Sequence, residues 1–204
     1  VNPWKYVTVY GQMVIDEFAV KYEVDRGGGG GPPVYGFLAG ATGVYPIGGG
    51  YLNGAIEWAQ TSPWLYNRRG APYFYNVRRY WSLVTDRTEY ISKPLGYEYG
   101  SDVIVLNGNA SYRLPGRFKA GLDITRLLKG EKSIGAVWDP APGDAPPSGV
   151  PIKMWIVETD ASWTPVGFLS VAGGINWTYT DNPNHLAGEK RSDLEFHARV
   201  TFEL

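Results

Sequence analysis

Residues 193–204, DLEFHARVTFEL, alternate without a break. Leu194, Phe196, Ala198, Val200, Phe202 and Leu204 stand on one parity, and Asp193, Glu195, His197, Arg199, Thr201 and Glu203 on the other. Successive side chains of a strand point to opposite sides, so this string is a strand with one apolar and one ionisable face. In a soluble sheet the apolar parity would face a core. In an outer-membrane barrel the same string is turned inside out, with the apolar parity against lipid. Strand length, connections and the placement of aromatics have to decide between the two.

Eight period-two stretches can be read along the chain, near residues 4–16, 34–45, 51–61, 100–113, 117–128, 150–160, 166–180 and 192–204. Most span ten residues or more, whereas a soluble strand is usually about 5–6 residues long. One grammar recurs in them. Ile104, Leu106, Ala110 and Tyr112 oppose Asn107, Asn109, Ser111 and Arg113. Phe118, Ala120, Leu122 and Ile124 oppose Lys119, Gly121, Asp123 and Thr125. Leu169, Val171, Ile175, Trp177 and Tyr179 oppose Ser170, Ala172, Gly174, Asn176 and Thr178. One parity is greasy and ends in aromatics; the other is small and polar.

The connections then alternate: long at 17–33, short at 46–50, very long at 62–99, short at 114–116, long at 129–149, short at 161–165 and medium to long at 181–191. Short turns at one end and longer loops at the other are the layout of an up-and-down barrel in an outer membrane. A soluble β-sandwich also explains the alternation, but it gives no reason for one end to own every long loop. A one-residue slip of the last strand would exchange its faces, and a basic residue facing lipid at mid-membrane costs roughly 2–4 kcal/mol. Register is therefore expected to be tightly fixed.

Composition narrows the function classes. Of 204 residues only 19% are charged and the net charge is -1, which leaves no electrostatic footprint for nucleic acid. Aromatics reach 15%, with 15 Tyr and 8 Trp, as in proteins that keep amphipathic rings at a membrane interface or a sugar-binding surface. The 27 Gly and 15 Pro favour turns and strands, and the absence of Cys excludes disulfide and thiolate chemistry. No apolar run approaches the roughly 20 residues of a membrane helix, a requirement that barrel strands do not share. The chain opens at Val1 without a basic and apolar leader, as expected of a mature chain or a fragment.

Three stretches carry a resemblance: VYGQMVIDEF (9–18), GAIEWAQTSPWLYNRR (54–69) and LGYEYGSDVIVLNGNASYR (95–113). They resemble the C-terminal half of the Wzi-type capsule-assembly family, outer-membrane β-barrels of Gram-negative bacteria and related diderms. The shared features are a Tyr-Gly-Gln strand closing on an acidic residue, a Glu-led strand running into a Pro-Trp-Leu-Tyr-Asn loop, and a Leu-Gly-x-x-x-Gly-Ser-Asp approach to a long strand. The resemblance covers most of residues 4–130. It implies an outer-membrane location and a non-catalytic role in binding or organising surface polysaccharide. The family barrel has more strands than this chain offers, so the resemblance makes the chain a C-terminal portion or a shortened relative.

Other motifs lead to plainer readings. DRGGGGGPP (25–33) and KGEKS (129–133) lack the Lys-Ser/Thr and the following helix of a phosphate loop. His185 and His197 have no second ligand at helix or hairpin spacing, so no metal is expected. No G-x-S-x-G occurs. The acids Asp16, Glu17, Glu57, Asp102, Asp123 and Glu158 could pair as in a glycosidase, but in a polar lumen they usually join cross-strand networks with Lys and Arg. The Asn-x-Ser/Thr strings at Asn109 and Asn176 fall inside strands and read as chance.

The stretch 63–90 carries the functional signal. Arg68, Arg69, Arg78, Arg79 and Arg87 are interleaved with Trp64, Tyr66, Tyr73, Tyr75, Tyr80 and Trp81. Guanidinium groups pair bidentately with carboxylate or phosphate and aromatic faces pack on sugar rings, so an acidic surface glycan suits both. The alternative is a loop folded over or into the barrel mouth, its arginines paired with lumen acids.

The sequence thus predicts an all-β, antiparallel up-and-down transmembrane β-barrel, with about eight strands in a single domain over 1–204. Arg113, Lys119, Asp123, Glu195 and Arg199 are expected to face the lumen, and Trp64, Tyr66, Arg68, Arg69, Arg78, Arg79 and Trp81 to form an outer polysaccharide-binding loop. The expected partners are outer-membrane lipid, surface or capsular polysaccharide and, during biogenesis, the barrel-assembly machinery that reads the last strand; no nucleic acid, cofactor or enzyme activity is expected. A pore whose lumen charges set ion selectivity and a soluble, secreted carbohydrate-binding β-sandwich are the two rivals.

Overall fold

The computed structural model of the chain describes residues 5–17, 34–66, 76–82, 88–94, 96–132, 136 and 144–202, with the backbone alone for 16, 17, 76–82 and 88–94. Ten strands form: β1 Val7–Glu17, β2 Val34–Ile47, β3 Gly50–Thr61, β4 Asn76–Ser82, β5 Thr88–Pro94, β6 Val103–Leu114, β7 Phe118–Lys129, β8 Ile152–Val166, β9 Leu169–Asp181 and β10 Lys190–Phe202. Eight of them make one antiparallel sheet in the order β1-β2-β3-β6-β7-β8-β9-β10, each hydrogen-bonded to its neighbour along the chain once the β4-β5 hairpin is set aside. A short 3-10 turn, Pro183–His185, is the one helical element among the described residues.

This is the up-and-down meander expected from the sequence, with three differences. The 62–99 connection contains a hairpin, β4-β5, that period-two reading passed over. β8 continues six residues past its expected end to Val166, so the turn falls at Gly167-Phe168 and not at 161–165. The added stretch contains Pro165. It sits where the register shifts between Trp163 and Val166, and an irregularity of that kind lets a strand carry a proline without losing a ladder hydrogen bond. Third, among the described residues the sheet runs from β1 to β10 without a pairing that joins the two, so it is not closed as a barrel is.

Between the register shifts at Ile15–Glu17 and Trp163–Val166, pairing carries one parity across all eight strands. Gly40, Glu57, Asn107, Thr125, Ile156, Thr178 and Asp193 follow one another as partners on one face, and Trp58, Leu106, Arg126, Trp155 and Tyr179 on the other. The second face is apolar and open. Phe196 is 70% exposed, Met13 64%, Trp163 57% and Ile56 57%, an apolar surface far beyond the few hundred Å² that a soluble monomer usually tolerates.

Aromatics border that face at both ends. Tyr45, Tyr112, Phe118 and Trp163 lie beside the short turns; Phe37, Trp58, Trp155, Trp177 and Tyr179 lie beside the long connections. On β8, Trp155 and Trp163 stand eight residues apart, about 26 Å along a strand rising 3.3 Å per residue. Between the two borders the apolar face holds no ionisable side chain among the described residues; Arg126, at the long-connection border, stacks its guanidinium 4.8 Å above the Trp155 ring.

Buried side chains gather at the long-connection end of the sheet. One cluster is Val34, Trp64 and Leu65, with Tyr66 and Ala136 packed on it; the other is Val103, Val105 and Leu127, with Tyr97, Tyr99 and Met154. Among the described residues no apolar core covers the sheet centre on either side.

Candidate functional site

The polar face and the capped long-connection end together make the candidate site. On the polar face, β6 to β10 enclose an open trough of about 400 Å³ walled by Asn109, Lys119, Asp123, Glu158, Asp160, Asn176 and His197. Strand alternation puts these groups together: Asp123 is opposite both Asn109 and Glu158, and Asn176 lies between Glu158 and Glu195. Asp123 accepts hydrogen bonds from Asn107 Nδ2 at 2.8 Å and Thr125 Oγ1 at 3.2 Å, and Lys119 Nζ meets Asp160 at 2.9 Å.

Glycines shape the trough by what they omit. A Cβ on Gly174 would strike the His197 ring at 2.6 Å, and one on Gly121 would meet an Asp160 carboxylate oxygen at 2.5 Å. The same device recurs on β2, where the Tyr10 ring lies over Gly40, 2.6 Å from the place of its missing Cβ, and donates to Glu57 at 2.9 Å. An aromatic laid over a strand glycine restores cover to backbone that glycine leaves bare.

At the long-connection end a cap is pinned on Asp102, which is fully buried and holds a left-handed φ of 59°. Its Oδ1 accepts from Ser148 N at 2.9 Å; its Oδ2 accepts from Lys132 N at 2.9 Å and from the Ser148 hydroxyl. Its backbone N–H donates to Ser62 O at 3.1 Å, and its carbonyl accepts from Gly130 N at 2.8 Å. Side chain and backbone together, this one residue ties the end of β3, the start of β6, the end of β7 and the approach to β8. A Cβ on Gly130 would overlap that carboxylate and Ser148 N, so the knot needs glycine there.

Trp64 and Tyr66 belong to this cap. Trp64 is 1% exposed, donates from Nε1 to Asp144 at 3.2 Å and carries the Lys132 ammonium 5.0 Å above its ring. A ring so enclosed offers no face to a sugar, which corrects its expected place on the glycan-facing surface: apolar contact with Val34 and Leu65 draws it into the cap. Tyr66, half-buried, accepts at its hydroxyl from Tyr97 N at 3.0 Å. With Tyr97, Gln12, Val14, Leu38 and Thr61 it lines a second open cavity of about 470 Å³, between the cap and β1-β2. Burial, with Glu57, Tyr99 and Glu98 nearby, pushes the Tyr97 hydroxyl pKa well up, and burial beside Glu98, Asp123 and Glu158 raises that of Tyr99.

Arg68 and Arg69 lie outside the described residues, as does Arg87. Arg78, Arg79 and Trp81 fall on β4, paired with Ser92, Ile91 and Glu89 of β5. Arg113, Lys119, Asp123, Glu195 and Arg199 all stand on the polar face of the large sheet. The Asp102 knot and the Tyr10-Gly40 and His197-Gly174 contacts were missed by sequence reading; the G-S-D and S-G strings at 100–102 and 148–149 were their only trace. Among the described residues no group of His, Asp and Glu is arranged to hold a metal ion, and no helix is long and apolar enough to cross a membrane. Comparison with protein-family models, with characterised proteins and with solved structures finds no match for the chain.

Proposed function

We propose that the chain is the wall of a bacterial outer-membrane β-barrel, non-catalytic, whose outer connections bind or organise a surface polysaccharide. The observation that carries the membrane part is the apolar face: eight strands long enough to cross, no charge in the middle, and aromatics along both borders. Nine to eleven residues at a tilt near 45° span a bilayer, and aromatic girdles sit where hydrocarbon meets headgroups. Closure comes from β1 meeting β10 or from further strands between them.

The glycan part rests on the Arg and aromatic run of 63–90, which leaves the sheet at the long-connection end, and on the resemblance to the Wzi-type family. Its test is retention of an acidic capsular polysaccharide by the detergent-solubilised chain. Replacing Arg68, Arg69, Arg78 and Arg79 with Ala is expected to abolish retention while folding, followed by heat-modifiable migration on a denaturing gel, is kept. Retention unchanged by the four substitutions would contradict the binding role.

A second reading, a pore, is favoured by one feature of the sheet. From mid-strand to the short turns the polar face is charged and without apolar filling, as a water-lined lumen is; the Val103, Val105 and Leu127 cluster occupies it at the long-connection end.

A further inference from the structure

The charges of the polar face are sorted along the strands. Hydrogen-bonded partners place Asn109, Asp123, Glu158, Asn176 and Glu195 in one row across β6 to β10, and Arg113, Lys119, Ser162, Ala172 and Arg199 in another. The rows are four residues apart, about 13 Å along the strand, with the basic row nearer the short turns. Lys5 and Arg117 lie at that end too, and among the described residues it bears no carboxylate beyond Asp160.

Two details argue against chance. Antiparallel neighbours run in opposite directions, yet the sorting is the same in space: β7 reads Lys119 then Asp123, and β10 reads Glu195 then Arg199. The order in the sequence reverses with the strand. Second, like faces like, Arg113 opposite Lys119 and Asp123 opposite Glu158, although opposite charges in paired positions would stabilise the sheet and like charges weaken it. Lys119 and Asp160 form an ion pair between the zones, while Arg113, Glu158, Glu195 and Arg199 have no ion-pair partner among the described residues. A sheet that forgoes available pairings in this way departs from its own stability rules, as functional surfaces do.

We propose that the polar face is a bipolar ion filter: an acidic belt at mid-strand in series with a cationic rim at the short-turn mouth. The inference rests on the pore reading above. Small cations concentrate in the belt and small anions at the rim, and at 0.1 M salt the Debye length of about 10 Å is shorter than the gap between the rows, so the zones do not neutralise each other. Two zones of opposite preference in series fill with ions under one voltage polarity and empty under the other. Current through such a lumen depends on the sign of the voltage.

The test is conductance of the full chain inserted from one side of a planar bilayer, in potassium chloride. Currents at opposite voltages are expected to differ by about twofold or more at 0.1 M and to become equal near 1 M, where the Debye length falls to about 3 Å. The triple variant Asp123→Asn, Glu158→Gln, Glu195→Gln should lose the asymmetry and turn anion-selective. Arg113→Gln, Lys119→Gln, Arg199→Gln should lose it and turn cation-selective, so the two reversal potentials in a salt gradient have opposite signs. Symmetric wild-type currents at 0.1 M, or reversal potentials of one sign in both variants, overturn the filter and leave the pore standing. No conductance from a chain with heat-modifiable migration overturns the pore, and the filter with it.

Discussion

Leu122 is the position at which water and lipid predict different energies. It lies on the apolar face of β7, four residues from Phe118 at one aromatic border and four from Arg126 at the other, opposite Ala110 and Thr159, and is 41% exposed. Four residues are about 13 Å of strand, so a tilted β7 holds Leu122 close to the middle of a hydrocarbon layer about 25 Å tall. Leu122→Arg there should cost roughly 2–4 kcal/mol. In water the same exchange at a partly exposed site, with no buried partner left unsatisfied, stays within about 0.5 kcal/mol. Asn176→Arg on the polar face is the control: its neighbours are Glu158 and Glu195, so lipid insertion predicts no loss. The assay is reversible urea unfolding in lipid vesicles, followed by fluorescence of the 8 Trp. A destabilisation of Leu122→Arg within about 0.5 kcal/mol would refute the lipid-facing assignment.

Further outcomes follow from the cap and the polar face. Asp102→Ala leaves Ser148 N without its acceptor and Lys132 N with only the Ser148 hydroxyl at 3.3 Å, and should cost the cap roughly 2–3 kcal/mol. Limited proteolysis within 131–150 would report it, and wild-type resistance would contradict the knot. Gly40→Ala should destabilise more than Tyr10→Phe, because the first displaces a ring packed on backbone whereas the second loses one part-exposed hydrogen bond of about 0.5–1 kcal/mol; equal midpoints in urea would count against the stacking. Tyr97 and Tyr99 have folded pKa values raised above the ordinary 10.0, so the folded cap holds their protons more tightly than the unfolded chain does. Their contribution to stability is complete below pH 10 and is lost as pH rises through the raised values. Tyrosinate absorbance should accordingly show a late-ionising component that Tyr97→Phe diminishes, and an undiminished component in that variant would contradict the assignment.

Much of the sheet was legible because alternation is a local signal. In RFKAGLDIT the residues Phe118, Ala120, Leu122 and Ile124 announce one face by themselves, and the lengths of the connections told up from down. The β4-β5 hairpin was hidden because NVRRYWS and TEYISKP carry no clean two-residue period. β8 was cut short because a proline at a register shift looks the same in a sequence as a proline that ends a strand. β10 begins at Lys190, earlier than expected, because Lys190 and Arg191 had been counted with the loop. The cap was illegible for a different reason. Asp102 acts through Lys132 and Ser148, 30 and 46 residues away, and nothing in its neighbourhood tells a buried carboxylate from a turn. Trp64 likewise reads as a surface aromatic among arginines until Val34 and Leu65 are seen against it. The charge rows needed the full register, since each row takes residues from five strands.

The sidedness of the sheet can be measured directly, because the chain contains no cysteine and accepts single labelled ones without background. Spin labels placed one at a time on residues 193–202 in lipid vesicles report contact with lipid-dissolved oxygen or with a water-soluble nickel chelate. If the apolar parity meets lipid, oxygen contact peaks at 194, 196, 198 and 200 and nickel contact at 193, 195, 197 and 199, alternating with period two. Nickel contact at both parities alike, in a chain that stays folded and monomeric without detergent, would contradict the membrane account.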